Sequence, residues 1–516
     1  MTTTCITALA ADAGPDSRSA TDAADTTVTR NSIEMTERVD ALLAEYWREH
    51  EITPSEPSTD AEFLRRVYLD LIGTLPSATQ VRQFLDDPAP TKRSTVIDQL
   101  VDAPLHPTHL ANTWRRILVA NQAGSDPFGQ VGMQDWLRNQ FVDNTRFDRL
   151  VGNFLTVSGG QDTGPVIYYR LLELKPEKLA SSVAKCFLGV QLQCAECHDH
   201  PFVETTQEDF WSFAAFFARV RNRYGEQMSP FAQFSLYDST EGEVTLPDDD
   251  ATIAPRYPGS QSAVEPRGTR REQLSLWMAS SENDFLGPAT VNRVWSLLFG
   301  RGLVHPVDDM GSHNPSEHPQ LLDELSEFFI QSGYDLRNLF QVLAKTKAYQ
   351  RSSTKGGAAG AKAVPAEAFA QMQVKALTAD QLFDSLRTTL KMPRDPAASN
   401  PLLESTRRTF VSQMNSQSDD LTKLESSVQQ TLLMMNGQIT EQFINTNQQG
   451  LTAALAAPYL DDEGRLELLF LACLSREPTA AERRTFGEHL KVSENSSAIQ
   501  DIVWALVNSS EYRLNH

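Results

Sequence analysis

From residue 32 onward, apolar residues recur at spacings of three and four, and each run is cut short by a glycine, a proline or a capping pair. This pattern restricts the chain to a packing of short helices, because a half-buried strand needs a period of two. Val39, Leu42, Leu43, Tyr46 and Trp47 form one stripe. Phe63, Leu64, Val67, Tyr68, Leu71 and Ile72 form a second, closed by Gly73 where a left-handed residue ends a helix. Ser77 followed by Gln80 is a capping box for the next helix, and Pro104 stops the one after.

Three stretches depart from this period. QFSLYDSTEGEVTLP, residues 233–247, alternates apolar and polar residues about a Glu-Gly pair and reads as a β-hairpin. The Pro/Gly/Ser-rich run 255–268 reads as a linker, after which Leu274, Trp277 and Met278 resume the helical period. STKGGAAGAKAVPAEA, residues 353–368, reads as a mobile loop. The ends of the chain also resemble each other: RVYLDLIGTLPSATQVRQF at 66–84 aligns with LLFLACLSREPTAAERRTF at 468–486, and LVDAP at 100–104 with LVNSS at 506–510. A helical unit of roughly 45 residues used twice explains this, as does the general likeness of amphipathic helices joined by a Pro-containing turn.

The chain's 516 residues exceed one compact core, so two or three domains are expected. With 46 Lys and Arg against 67 Asp and Glu, the net charge of −21 repels nucleic acid and anionic membrane, and no apolar run reaches the length of a membrane span. The start, MTTTCITALAADAG, carries an Ala-Leu-Ala pattern like a signal-peptidase site but no basic n-region. It reads either as the tail of an export signal or as a plain leader, and residues 11–32 have nothing to bury, which predicts disorder. Five cysteines, at 5, 186, 194, 197 and 473, are too scattered for a disulfide framework. Cys186 and Cys473 sit in apolar stretches as buried thiols, which leaves Cys194 and Cys197 for chemistry.

These two stand in QCAECHDHPF, residues 193–202. CxxCH is the attachment pattern of c-type haem: two thiols bond two vinyl groups, and the adjacent histidine is presented to the iron. By composition alone the pattern arises in about one chain in a thousand of this make-up. Cys194 and Cys197 are then the anchors and His198 the proximal ligand, with Asp199 and His200 supporting it. The helical stretch 179–193 leads into the motif, and Thr206 with Asp209 caps a helix carrying Phe210, Phe213, Ala214 and Phe217. Those side chains suit the wall of a macrocycle or, equally, an ordinary core. Two other chemistries fit the same residues. Cys194, Cys197, His198 and His200 are a candidate set for zinc or another transition metal, and Cys194 with Cys197 a candidate redox pair, though no βαβ pattern surrounds it. Met228, Met310, His313 and His318 are sixth-ligand candidates by residue type, and a five-coordinate iron is the remaining option.

The first part of the chain resembles the family of unknown function DUF1549, the planctomycete cytochrome-like PSCyt2 domain, through DAEFLRRVYLDLIGTLPS at 60–77, GVQLQCAECHDHPF at 189–202 and DFWSFAAFFARV at 209–220. The later part resembles its companion DUF1553, or PSD1, through residues 291–325 and WALVNSSEYRLNH at 504–516. The resemblance implies an exported protein of planctomycete type, and its cytochrome label rests on CxxCH. Val203 and Glu317 depart from the usual pattern, which has Asp after HPF and a small hydroxyl residue before the second histidine. No cytochrome domain precedes the first part in this sequence, so one haem is expected.

A second polar stretch, HPVDDMGSHNPSEHP at 305–319, gathers His305, Asp308, Asp309, His313 and His318. Carboxylates beside imidazoles suit a metal-assisted hydrolase, whereas three prolines with Gly311 and Ser312 suit a structural turn in which Ser316 or Glu317 begins the next helix. The expectation is a mainly α protein of two helical domains with a small β-hairpin insertion between them: a leader at 1–32, a first domain at 33–225, hairpin and linker at 226–268 and a second domain at 269–516. In function it is a periplasmic or extracellular haem protein that meets a redox partner. The alternatives are a scaffold with no cofactor or another metal, and a hydrolase built on 305–318.

Overall fold

The computed structural model describes residues 16–119, 127–160, 164–199, 205–225, 233–247, 251–260, 264, 267–354, 364–390, 401–414, 428–436, 451–455, 457, 460–492 and 495–516. It is mainly α, with short helices throughout. The first helix, α1 (Asp16–Glu49), buries Met35, Val39, Leu43 and Trp47. It reaches back to Asp16, so that residues 16–32 of the stretch expected to be disordered are helical: a helix nucleated by a packed half extends at little cost per residue. Residues 1–15 lie outside the described residues.

Helix α2 (Asp60–Ile72) is capped by Thr59, whose hydroxyl accepts from Glu62 N–H, and ends at Gly73 with φ of 73°. A Cβ at Gly73 would collide with the His109 ring, so a glycine suits both the turn and the close approach. Ser77 and Gln80 form the expected capping box on α3 (Ala78–Asp86). Helix α4 (Lys92–Val101) stops short of Pro104, and α5 (Leu105–Val119) begins directly after it.

The far end of the chain repeats this plan. Helices Asp462–Leu474 and Ala480–Val492 are joined through Ser475, at φ of 58°, in the position aligned with Gly73. Thr479 and Glu482 exchange the same reciprocal bonds as Ser77 and Gln80. Helix Asn495–Val507 packs on Asp462–Leu474 as α4 packs on α2. The two units touch: α3 lies against Asp462–Leu474, with Arg82 on Glu467 at 2.7 Å.

One continuous cluster of buried apolar residues runs from Met35 to Tyr512. Buried charge crosses it. The Arg65 guanidinium donates to the carbonyls of Cys473 (3.3 Å), Glu511 (2.8 Å), Tyr512 (2.9 Å) and Leu514 (3.1 Å). Arg66 donates to Tyr349 O and Arg351 O and pairs with Glu62 at 2.7 Å. Asp70 accepts from Tyr349 Oη, Lys375 Nζ and Asn515 Nδ2. One face of α2 thus ties the first segment to the C-terminal strand by polar bonds that are satisfied within the protein.

The strands correct the expected hairpin. β3 (Ser235–Asp238) lies between β1 (Gly159–Gly160) and β2 (Val220–Asn222), while β4 (Val244–Thr245) pairs with β5 (Thr252–Ile253). Both halves of 233–247 are extended but do not pair with each other. The turn between them is drawn aside, because Glu243 is held by Arg219 at 2.6 Å and by Arg270, and Arg219 and Arg270 also reach Gly242 O. The short pair β6 (Lys375–Ala376) and β7 (Leu514–Asn515) closes the C-terminus. The described part of the expected linker is packed: Tyr257 stacks on Phe216 at 5.2 Å and on Trp277 at 5.1 Å. The expected mobile loop is anchored at both margins, by Ser353 N–H on Glu62 and by Trp47 Nε1 on Ala368 O, and residues 355–363 lie outside the described residues.

Candidate functional site

The helix Pro176–Val183 passes into a π turn, Ala184–Leu188, that buries Cys186, Phe187 and Leu188 and ends at Gly189 with φ of 69°. The chain then reaches the surface, and Gln193–Glu196 forms a single 3₁₀ turn. Of this turn only Ala195 is buried; Cys194, Cys197 and His198 are exposed and both thiols are free. Helix Gln207–Ala214 grips the turn from beneath. Trp211 Nε1 and Gln207 Nε2 donate to Glu196 O at 3.1 and 3.2 Å, and Gln207 N–H donates to Asp199 Oδ1 at 2.8 Å. The Thr206–Asp209 capping box that fixes this helix is the one expected. His198 Nδ1 lies 2.7 Å from Asp199 O, a carbonyl that can only accept, so Nδ1 carries a proton and Nε2 is the nitrogen turned to any ligand. Asp199 therefore supports both the turn and the imidazole. His200 and Met228 lie outside the described residues.

The aromatic residues that follow do not face the motif as a wall. Phe210, Phe213, Phe216 and Phe217 are fully buried, and Phe213 meets Phe216 and Phe217 edge-on at 6.1 and 6.2 Å. They fill the core under the turn, the bland outcome for such a stripe.

The second polar stretch is docked on the approach to the first. Met310 N–H donates to Gly189 O at 2.8 Å, and Asp308 holds Lys185 at 3.2 Å and Gln191 Nε2 at 3.2 Å. Inside the stretch, Asn314 donates to His305 O and Asp309 O, and His313 Nε2 lies 3.0 Å from Asp309 Oδ1. His318 is turned the other way: it is buried beside Tyr46 and Phe369, bonded through Nε2 to Glu367 O at 2.8 Å, and burial pushes its pKa down. This removes His318 as a sixth iron ligand. Asp308 is thus spent on Lys185 and Gln191, Asp309 and His313 on each other and His318 on Glu367 O, and among the described residues no three His, Cys, Asp or Glu side chains gather as a metal site. The next helix, Pro319–Gln331, takes His318 as its N-cap residue rather than Ser316 or Glu317, because Pro319 sets the first helical position; Ser316 Oγ instead accepts from His318 N–H.

A further group of polar residues was not anticipated. Lys375 is buried on Asp70 and two backbone carbonyls, and burial lowers its pKa against the pull of Asp70. Close by, burial drops the pKa of His109 to about 3, with His106 and Arg116 adding to the effect. The sequence held one signal for this. In FLRRVYLDLI the apolar residues surround the helix, leaving Arg65, Arg66 and Asp70 no wet face.

The fold and the turn define a mainly helical protein that displays a CxxCH motif on a rigid surface turn. Comparison with known families makes this specific. Residues 38–222 match PSCyt2, a protein of unknown function (DUF1549), and residues 270–402 match PSD1, a protein of unknown function (DUF1553). The chain therefore belongs to the proteins that carry a PSCyt2 domain followed by a PSD1 domain. No curated protein and no solved structure matches it.

Proposed function

We propose that the protein is an exported redox carrier whose Cys194 and Cys197 thiols attach one haem and whose His198 Nε2 ligates its iron, so that it exchanges electrons with a partner protein. The observation that carries this reading is the state of His198: Nδ1 is tied to Asp199 O at 2.7 Å beside two free, exposed thiols. Metal-ligating histidines characteristically hold their second nitrogen on a carbonyl or carboxylate in this way. Haem, when bound, supplies one-electron chemistry at a potential set by its axial ligands and surroundings. Cys194 and Cys197 would hold the group, Asp199 would orient the ligand, and the grip of Gln207 and Trp211 on Glu196 O would fix the turn that carries them. The thiols' exposure supports a role at the surface, within reach of a partner. The name of the first matching family, PSCyt2, agrees with a cytochrome-like role.

The test is a pyridine haemochrome spectrum of the protein made in an exporting host with haem-maturation machinery. A covalent haem band is expected, lost in Cys194→Ala/Cys197→Ala with helicity retained, while His198→Ala keeps the covalent band and alters the native spectrum. A colourless wild-type protein from a host that matures a control cytochrome refutes the reading.

A further inference from the structure

Two adjoining cavities lie where the PSCyt2 and PSD1 segments meet. The larger, about 50 Å³, is lined from one side by α2 and α5 and from the other by helix Leu286–Phe299, β6, β7 and the start of helix Ala379–Thr389. The smaller, about 10 Å³, shares His109 and Gln381 with it. At the roughly 10–15 Å³ that one water requires, the larger has room for about four waters, or for one molecule of about five non-hydrogen atoms.

Its polar lining is incomplete. Asn515 is only 2% exposed; its Nδ2 donates to Asp70 Oδ1 at 2.7 Å, and its Oδ1 has no partner. Arg116 Nε is likewise buried without a partner. The carboxylates nearby already have direct cations: Lys375 at 2.7 Å on Asp70, Arg407 at 2.8 Å and Arg115 at 3.4 Å on Asp380, and Arg407 at 3.1 Å on Asp384. Among the described residues, Arg116 is the lining cation with no carboxylate in direct contact. His109, held neutral by burial, adds no positive charge near pH 7. Asp380 acts on Arg116 only through space, so the cavity offers a guanidinium Nε without a hydrogen-bond partner at one place and an idle acceptor at another, and a buried group of either kind is costly until something completes it.

We propose that this cavity binds a small oxyanion that also carries a hydroxyl, of the class of glycolate or hydrogen phosphate, with its anionic oxygens on Arg116 and its hydroxyl donated to Asn515 Oδ1. The site is independent of the haem reading, and neither result bears on the other. Thermal unfolding and calorimetric titration of the full chain test it, with glycolate, phosphate, acetate and sodium chloride compared at equal ionic strength. Glycolate or phosphate should stabilise saturably, and acetate, which lacks the hydroxyl, should bind more weakly. Arg116→Gln should weaken binding roughly ten- to a hundredfold, the worth of a charge-assisted hydrogen bond. Arg116→Lys keeps the charge and should retain part of the affinity, which covers the case in which the glutamine variant does not fold. Asn515→Ala should abolish the preference for glycolate over acetate. Stabilisation that follows ionic strength alone, or an Arg116→Lys variant that binds like wild type while Arg116→Gln does too, overturns the proposal and assigns the cavity to water.

Discussion

Acidification from pH 7 to pH 5 should cost this fold about 4 kcal/mol through two histidines of α5, by about 1.4 kcal/mol per pKa unit. His106 is 1% exposed, bonded through Nδ1 to Leu71 O at 2.7 Å and set edge-on to Phe340 at 5.8 Å; burial lowers its pKa to about 4. His109, one turn on, is lowered by burial to about 3. In the unfolded chain both return to about 6.5. The folded state therefore binds fewer protons, and the stability contributed is complete above pH 6.5. It declines as pH falls through the window from 6.5 to about 4 for His106 and to about 3 for His109. pH 5 lies about 1.5 units below the unfolded value and above both folded ones, hence a loss of about 2 kcal/mol apiece. Urea unfolding at the two pH values measures this for wild type, His106→Gln, His109→Gln and the double variant. The double variant should lose most of the pH dependence, leaving the smaller slope of His318 and His516, whose pKa values burial also lowers. A wild type equally stable at both pH values, or a double variant with the full acid loss, refutes the reasoning.

Two further substitutions probe the junction. Arg65→Ala leaves the carbonyls of Cys473, Glu511, Tyr512 and Leu514 without this donor, the first and third of them buried, and should cost about 3 kcal/mol, while hydrogen exchange at the amides of 511–515 accelerates. Unchanged exchange there would mean that Arg65 does not hold the C-terminus. Gly73→Ala places a side chain at φ of 73° against the His109 ring and should cost about 2 kcal/mol in thermal unfolding, with only the part due to the ring relieved in a His109→Ala background.

Local features were legible in the sequence because they depend on near neighbours. The stripes of α1 and α2, the left-handed end at Gly73 and the Ser77 and Thr206 boxes all follow from residues within about one helical turn. The doubled helical unit was legible too, down to the alignment of Gly73 with Ser475. What escaped depends on partners far away in the chain. The 233–247 stretch has good strand chemistry, and Arg219 and Arg270 decide that its halves do not pair. Tyr257 sits in a run that reads as linker, and only the positions of Phe216 and Trp277 make it core. The histidines of 305–318 suggested one site, but His318 is claimed by Glu367 O while His313 stays with Asp309.

The bonds of Arg65 also set an order of events. Its helix is synthesised well ahead of the carbonyl of Glu511 that it needs, which lies 446 residues later. At a synthesis rate of about 5–20 residues per second, roughly 20–90 s pass between making the donor and making its acceptor. For most of that interval the nascent helix carries a guanidinium prepared for burial without any of its carbonyl partners. A helix made early is thus sealed late, so loss of residues 511–514 removes three of the four carbonyls that close over Arg65.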